Sequence, residues 1–153
     1  MFEIEIDVDS LKVDSVDPVF VAGGVRLEWN GQVFPHRAWT DAPLSVIGSL
    51  GAAIEHIRAG RAEADVYFFE GPYFVKLSAT DSSGEEDMVR VTGLRDIGSE
   101  EDGEDLAEIV ADGVVPLREV EEAHRRTMSR LITWCEKSGD PELLPLLRRM
   151  NRL

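Results

Sequence analysis

The sequence predicts an α+β fold: an antiparallel sheet with one helix inserted mid-chain and a C-terminal helical pair packed on one face. Three observations lead there. Residues 1–9 alternate apolar and acidic, residues 43–59 change to helical spacing, and the last quarter of the chain is helical again. The segments between are joined by connections of hairpin length, which favour antiparallel neighbours.

The first strand is the most regular. Phe2, Ile4, Ile6 and Val8 fall on one face of it, and Glu3, Glu5, Asp7 and Asp9 on the other. Next, residues 25–29 and 32–34 flank Asn30-Gly31, a dipeptide that tolerates the two positive φ values of a type I′ turn, so a hairpin is expected there. Gly23-Gly24 ahead of it reads as a turn or bulge where an irregular lead-in becomes a strand. In the inserted helix Leu44, Ile47, Leu50, Ile54 and Ile57 form one apolar stripe. Asp41 or Thr40 is its expected N-cap and Gly60 its stop. Its opposite side carries Ser45, Ser49, Ala52 and His56, short enough for another element to approach closely.

Two further strands are expected over residues 65–69 and 73–79, joined by Glu70-Gly71-Pro72, then one over 88–93 and a weaker one over 106–111. Residues 98–105 mix like charge with glycine and read as a mobile surface loop. On the long C-terminal helix Leu117, Val120, His124, Thr127, Met128, Leu131 and Cys135 line one face, and Glu119, Glu122, Arg126, Arg130 and Lys137 the other. Gly139 is expected to end it, and Asp140-Pro141 to open a short helix through Met150 that Pro145 weakens.

At 153 residues, the chain is expected to form one domain spanning 1–153. One cysteine permits no internal disulfide, and no signal peptide or membrane-spanning stretch is legible, so the cytoplasm is the expected location. The net charge of −14 is unevenly placed: residues 1–113 hold 24 acidic against 8 basic side chains, the remainder 6 against 8. Such a surface repels phosphates, arguing against direct nucleic-acid or membrane binding and favouring a cationic protein partner.

The chain lacks the Gly-x-Ser-x-Gly, P-loop, Gly-x-Gly-x-x-Gly, His-Glu-x-x-His and Cys-x-x-Cys motifs, so neither a familiar catalytic centre nor a cofactor is expected. Its acidic loops do not reproduce the EF-hand spacing, and carboxylates on alternate strand positions lie about 7 Å apart, too far to converge on one metal ion. The candidate partner-binding residues are therefore Glu3, Glu5, Asp7 and Asp9 on the first strand and Glu100, Glu101, Asp102, Glu104 and Asp105 in the acidic loop. Charges on an edge strand also serve to keep another chain from pairing with it. An enzyme with an unfamiliar site around His36, Asp41 and Glu70 is the alternative, and a self-associating scaffold subunit the third reading. His124 and Trp134 are expected in the core. Cys135 should be a buried, unreactive thiol, His36 and His56 surface residues, and Trp29 and Trp39 either core lids or contact residues. Glu70, alone among aromatics, suits either a carboxylic acid of raised pKa or a turn cap accepting backbone N–H groups.

The stretch Trp39-Thr40-Asp41-Ala42-Pro43-Leu44, the helix after it, and Phe68-Phe69-Glu70-Gly71-Pro72-Tyr73 resemble small acidic actinobacterial proteins of unknown function. With the pairing strand and late amphipathic helix, the pattern over roughly residues 20 to 135 looks like immunity proteins of polymorphic-toxin systems. That resemblance implies a noncatalytic inhibitor that meets a toxin by direct contact, often through an acidic face. It carries over no active site and no individual contact residue.

Overall fold

The computed structural model describes residues 1–13, 20–81, 84, 86–99, 105–138 and 142–151. The expected α+β architecture is present, with its strands divided between two antiparallel four-stranded sheets rather than one. Sheet A comprises β1 (Phe2–Val13), β2 (Val21–Trp29), β3 (Gln32–Phe34) and β4 (Thr40–Asp41), in the order β1-β2-β3 with β4 also on β2. Helix α1 (Pro43–Arg58) leads to sheet B, whose strands β5 (Glu63–Tyr67), β6 (Tyr73–Ala79), β7 (Met88–Ser99) and β8 (Asp105–Pro116) pair in sequence order. Helices α2 (Leu117–Ser138) and α3 (Leu143–Met150) complete the chain.

Alternation explains the inner faces. Phe2, Ile4, Ile6, Val25, Leu27 and Trp29 of sheet A and Ala64, Val66, Val75, Leu77, Val89, Val91, Ala111 and Val115 of sheet B are all buried. Helix α1 packs against β2, β5 and β6, and α2 against β1 and β8, so the helices fill the space these faces define. The long helix buries the arc expected of it, His124 and Leu131 included, and Leu143 and Leu147 bring α3 into the same core.

Phe34 joins the two sheets. Its ring lies 6.0 Å from Trp29 and 5.6 Å from both Phe68 and Tyr73. A Cβ on Gly93 of β7 would stand 2.5 Å from this ring, so glycine makes that approach possible. A second tie runs along the edge of β8, where the Gln32 amide donates to the Asp112 carbonyl at 2.9 Å and accepts from its N–H at 3.0 Å. One side chain thus does what the next strand's backbone would do. Asn30 Nδ2 adds a bond to the Val114 carbonyl at 3.2 Å.

The expected hairpin is found, with Asn30 at φ 50° and Gly31 at φ 78°, and Gly60 ends α1 at φ 94°. Gly23 and Gly24, expected at a turn or bulge, sit at the bulge: they lie inside β2 opposite the register break of β1 between Asp7 and Lys12, and a Cβ on Gly23 would meet Leu11 Cδ2 at 2.6 Å. Two local expectations change. Neither Asp41 nor Thr40 caps α1: Ala42 holds the N-cap position, and Pro43 contributes no N–H needing a partner. The last two strands are longer than their patterns suggested, because β7 and β8 pair from Met88↔Pro116 to Ser99↔Asp105 with two register breaks that interrupt the alternation. Gly139, Asp140 and Pro141 lie outside the described residues.

Candidate interaction surface

The outer face of sheet A is assembled by register. Glu3 stands opposite Glu28, Glu5 opposite Arg26 and Asp7 opposite Gly24, so the acids of β1 share a face with a fourth carboxylate from β2. Like charges directly opposite destabilise a sheet, and the Glu3–Glu28 pair is relieved on one side by Arg26, whose Nε donates to Glu28 at 3.0 Å. Among the described residues, Glu3, Glu5 and Asp7 have no cation within 4.0 Å. Arg126 and Arg130 of α2 border a shallow cleft with Glu3 and Glu5 without closing an ion pair.

Asp9 leaves this row. Within the bulge it lines a cleft of about 810 Å³ between β1 and α2, together with Val8, Leu11, Val13, Trp134, Arg130 and Lys137. Glu100, Glu101, Asp102 and Glu104 lie outside the described residues. Asp105 is the first residue of β8 and pairs with Ser99.

The free edge of β1 is engaged by α2 near its middle. Helix α2 packs beside it, and Arg130 Nη2 donates to the Ile6 carbonyl at 3.3 Å. Protection of this edge therefore has a structural agent other than the outward carboxylates.

The structure also gathers the residues of the alternative, catalytic reading. Asp41 is 1% exposed and accepts from four donors: Trp39 Nε1 at 2.9 Å, Ala42 N at 2.7 Å, Phe69 N at 2.9 Å and Glu70 N at 3.1 Å. A carboxylate so occupied anchors the β5–β6 turn to β4. The turn-capping role considered for Glu70 belongs to Asp41, while Glu70 itself is exposed. His36 is exposed, shares a 3.0 Å hydrogen bond with the Tyr73 hydroxyl and lies 5.6 Å from the Trp39 ring. His56 is also exposed, whereas Trp39 is half-buried.

His124 is fully buried beneath α1, where a Cβ on Gly51 would come within 2.8 Å of Nε2. Neither ring nitrogen meets hydrogen-bond geometry in the described structure. Desolvation holds its pKa below the ordinary imidazole value; the nearby Ile47 backbone opposes this only in part, and Arg125 adds to the lowering. Cys135 is buried and unbridged. Ion pairs between elements escaped the sequence pattern, among them two with a partly or fully buried carboxylate. Glu121 is buried and held by Arg58 of α1, and Arg90 of β7 clasps Asp112 of β8 at 3.0 and 2.7 Å, which keeps the Asp112 carboxyl below the usual carboxylate range. Spacing alone gives no sign of either, because each partner comes from a different element.

Among the described residues no group of three or more His, Cys, Asp and Glu is placed to hold a metal ion, and no helix is long and apolar enough to cross a membrane. Comparison with protein-family models, curated proteins and solved structures finds no match to this chain.

Proposed function

We propose that this protein is a noncatalytic binding domain that recognises a cationic protein through the acidic outer face of sheet A, in the manner of an immunity protein that neutralises a toxin. The observation that carries this reading is the outward row Glu3, Glu5 and Asp7, extended by Glu28, whose three β1 members have no ion-pair partner among the described residues. Helix α2 already engages this edge at Ile6, and Glu3 facing Glu28 costs stability, so the arrangement of these charges favours an intermolecular role. Outward carboxylates at this density, exposed at Asp7 and half-buried at Glu3, Glu5 and Glu28, steer a basic partner and raise its association rate. The occupied state of Asp41 supports the noncatalytic reading over a site built on His36, Asp41 and Glu70. A single unbridged thiol suits a reducing cytoplasm.

The test is capture from the source cells at 50 and 500 mM salt by the native protein and by a variant carrying Glu3→Gln, Glu5→Gln, Asp7→Asn and Glu28→Gln. The native protein should retain a basic partner at low salt, with association slowed about tenfold or more in the variant and its salt dependence flattened. Equal capture of that partner by the variant, at both salt concentrations, would remove this face from the interface.

A further inference from the structure

The outer face of sheet B carries apolar residues where solvent-facing positions are usually polar. Its register stacks three rows across the four strands: Glu63, Ser78, Arg90 and Val114; then Asp65, Lys76, Thr92 and Asp112; then Tyr67, Phe74, Leu94 and Ile109. The third row crosses the whole sheet without a polar atom except the Tyr67 hydroxyl. Within the row Tyr67 and Ile109 are 52% and 62% exposed, Phe74 is half-buried and Leu94 is buried at 9%, and Phe69, Ile97 and Val110 are exposed near the same end of the sheet. Most of the large apolar side chains left in solvent among the described residues belong to sheet B or the turn after β5. A contiguous patch of this kind marks a contact surface.

Charge selects the occupant. The two cations of this face are already paired, Lys76 with Glu63 and Arg90 with Asp112, while Asp65 and Asp96 have no cation partner among the described residues. A second copy would bring a chain of net charge −14 against another of the same sign. The row is about 14 Å long at the usual strand spacing, which matches two to three turns of an amphipathic helix. We infer that the third row of sheet B docks an amphipathic basic segment of a partner protein, its apolar side chains on Tyr67, Phe74 and Ile109 over the buried Leu94 and its Lys or Arg side chains toward Asp65 and Asp96. This surface is separate from the acidic face of sheet A and does not depend on it.

The test uses the full chain and two fluorescein-labelled 14-residue peptides made of leucine and lysine only. One places leucine at i, i+3, i+4 and i+7, and the other scrambles the same composition. By fluorescence anisotropy the patterned peptide should bind at least tenfold more tightly than the scrambled one and retain part of its affinity at 500 mM salt. Its binding should shift the backbone amide resonances of Tyr67, Phe74, Leu94 and Ile109. The double variant Tyr67→Thr, Ile109→Thr replaces exposed side chains with a residue suited to strands, so it should keep the native melting temperature while losing tenfold or more in affinity. Equal binding of the two peptides, shifts confined to β1 and β2, or unchanged affinity of the variant would each overturn the inference. A wild-type dimer in sedimentation that becomes monomeric in the variant would also overturn it, by making a second copy the occupant. The four-fold acidic-face variant serves as the control: it should bind the patterned peptide at 500 mM salt as the native protein does, so loss of the sheet A reading would leave this result standing.

Discussion

Sheet A and sheet B bury similar apolar inner faces but present opposite outer ones. On β1 every apolar side chain from Phe2 to Ile6 is inside and every acid outside, whereas the register of β5, β6, β7 and β8 puts Tyr67, Phe74, Leu94 and Ile109 on the outer face, with Tyr67 and Ile109 exposed and Leu94 buried. The same alternation rule built both sheets. Clean alternation therefore locates a core face, but the outer face is free to vary, and there the two sheets differ as two kinds of contact surface would.

Their difference stops at the seam, where they are one structure. Removing Phe34, which is fully buried between Trp29, Phe68, Tyr73 and Gly93, should have the largest effect. Phe34→Ala is expected to cost about 3–5 kcal/mol in urea denaturation. Fluorescence and circular dichroism should still report one coincident transition; separate transitions would show that the two sheets fold independently.

Asp41 ties β4 of sheet A to the β5–β6 turn of sheet B. Asp41→Ala leaves the Phe69 and Glu70 N–H groups and the Trp39 indole without their acceptor and should cost about 3 kcal/mol. Asn at this position, which retains one acceptor oxygen, should recover part of that loss. A variant as stable as the native protein would mean that water replaces the carboxylate and that the turn is not held from sheet A.

Beneath both sheets' helices, His124 should give the fold a pH dependence. Its folded pKa lies below the unfolded value near 6.5, so the unfolded chain takes up the proton first and stability falls as pH drops below about 6.5. The slope cannot exceed about 1.4 kcal/mol per pH unit for one proton. Glu55 opposes this shift and Arg125 reinforces it, so the slope belongs to the α1–α2 contact as a whole. Melting temperatures from pH 7.5 to 5.0 should fall less steeply in His124→Leu than in the native protein; parallel curves would refute the assignment. The smallest effect is expected at Gln32, whose amide stands in for a strand. Gln32→Ala should cost about 1 kcal/mol and speed exchange of the Asp112 amide proton measured by NMR. Unaltered exchange would show that the edge of β8 is protected without it.

The local patterns read from residue order were those that depend on near neighbours. Period-two alternation set the faces of β1, Asn30-Gly31 set the hairpin, and the apolar arc of the long helix buried His124, Leu131 and Cys135 as its spacing requires. Where a local rule was interrupted, the reading fell short: the register breaks in β7 and β8 concealed how far those strands run. The acidic candidates were legible as a row through Asp7 but not at Asp9, because the bulge that redirects it arises from pairing with β2.

By itself, then, the sequence determined the fold class, the inward and outward faces of its regular segments and the acidity of β1, since each follows from side-chain type at fixed spacing along one element. Only the tertiary structure decided that the strands form two sheets, that Asp41 holds the β5–β6 turn instead of capping α1, and that α2 engages the edge of β1 at Ile6. It also decided that Tyr67, Phe74, Leu94 and Ile109 form a row, for these residues stand on four different strands and nothing but the backbone register between those strands brings them together.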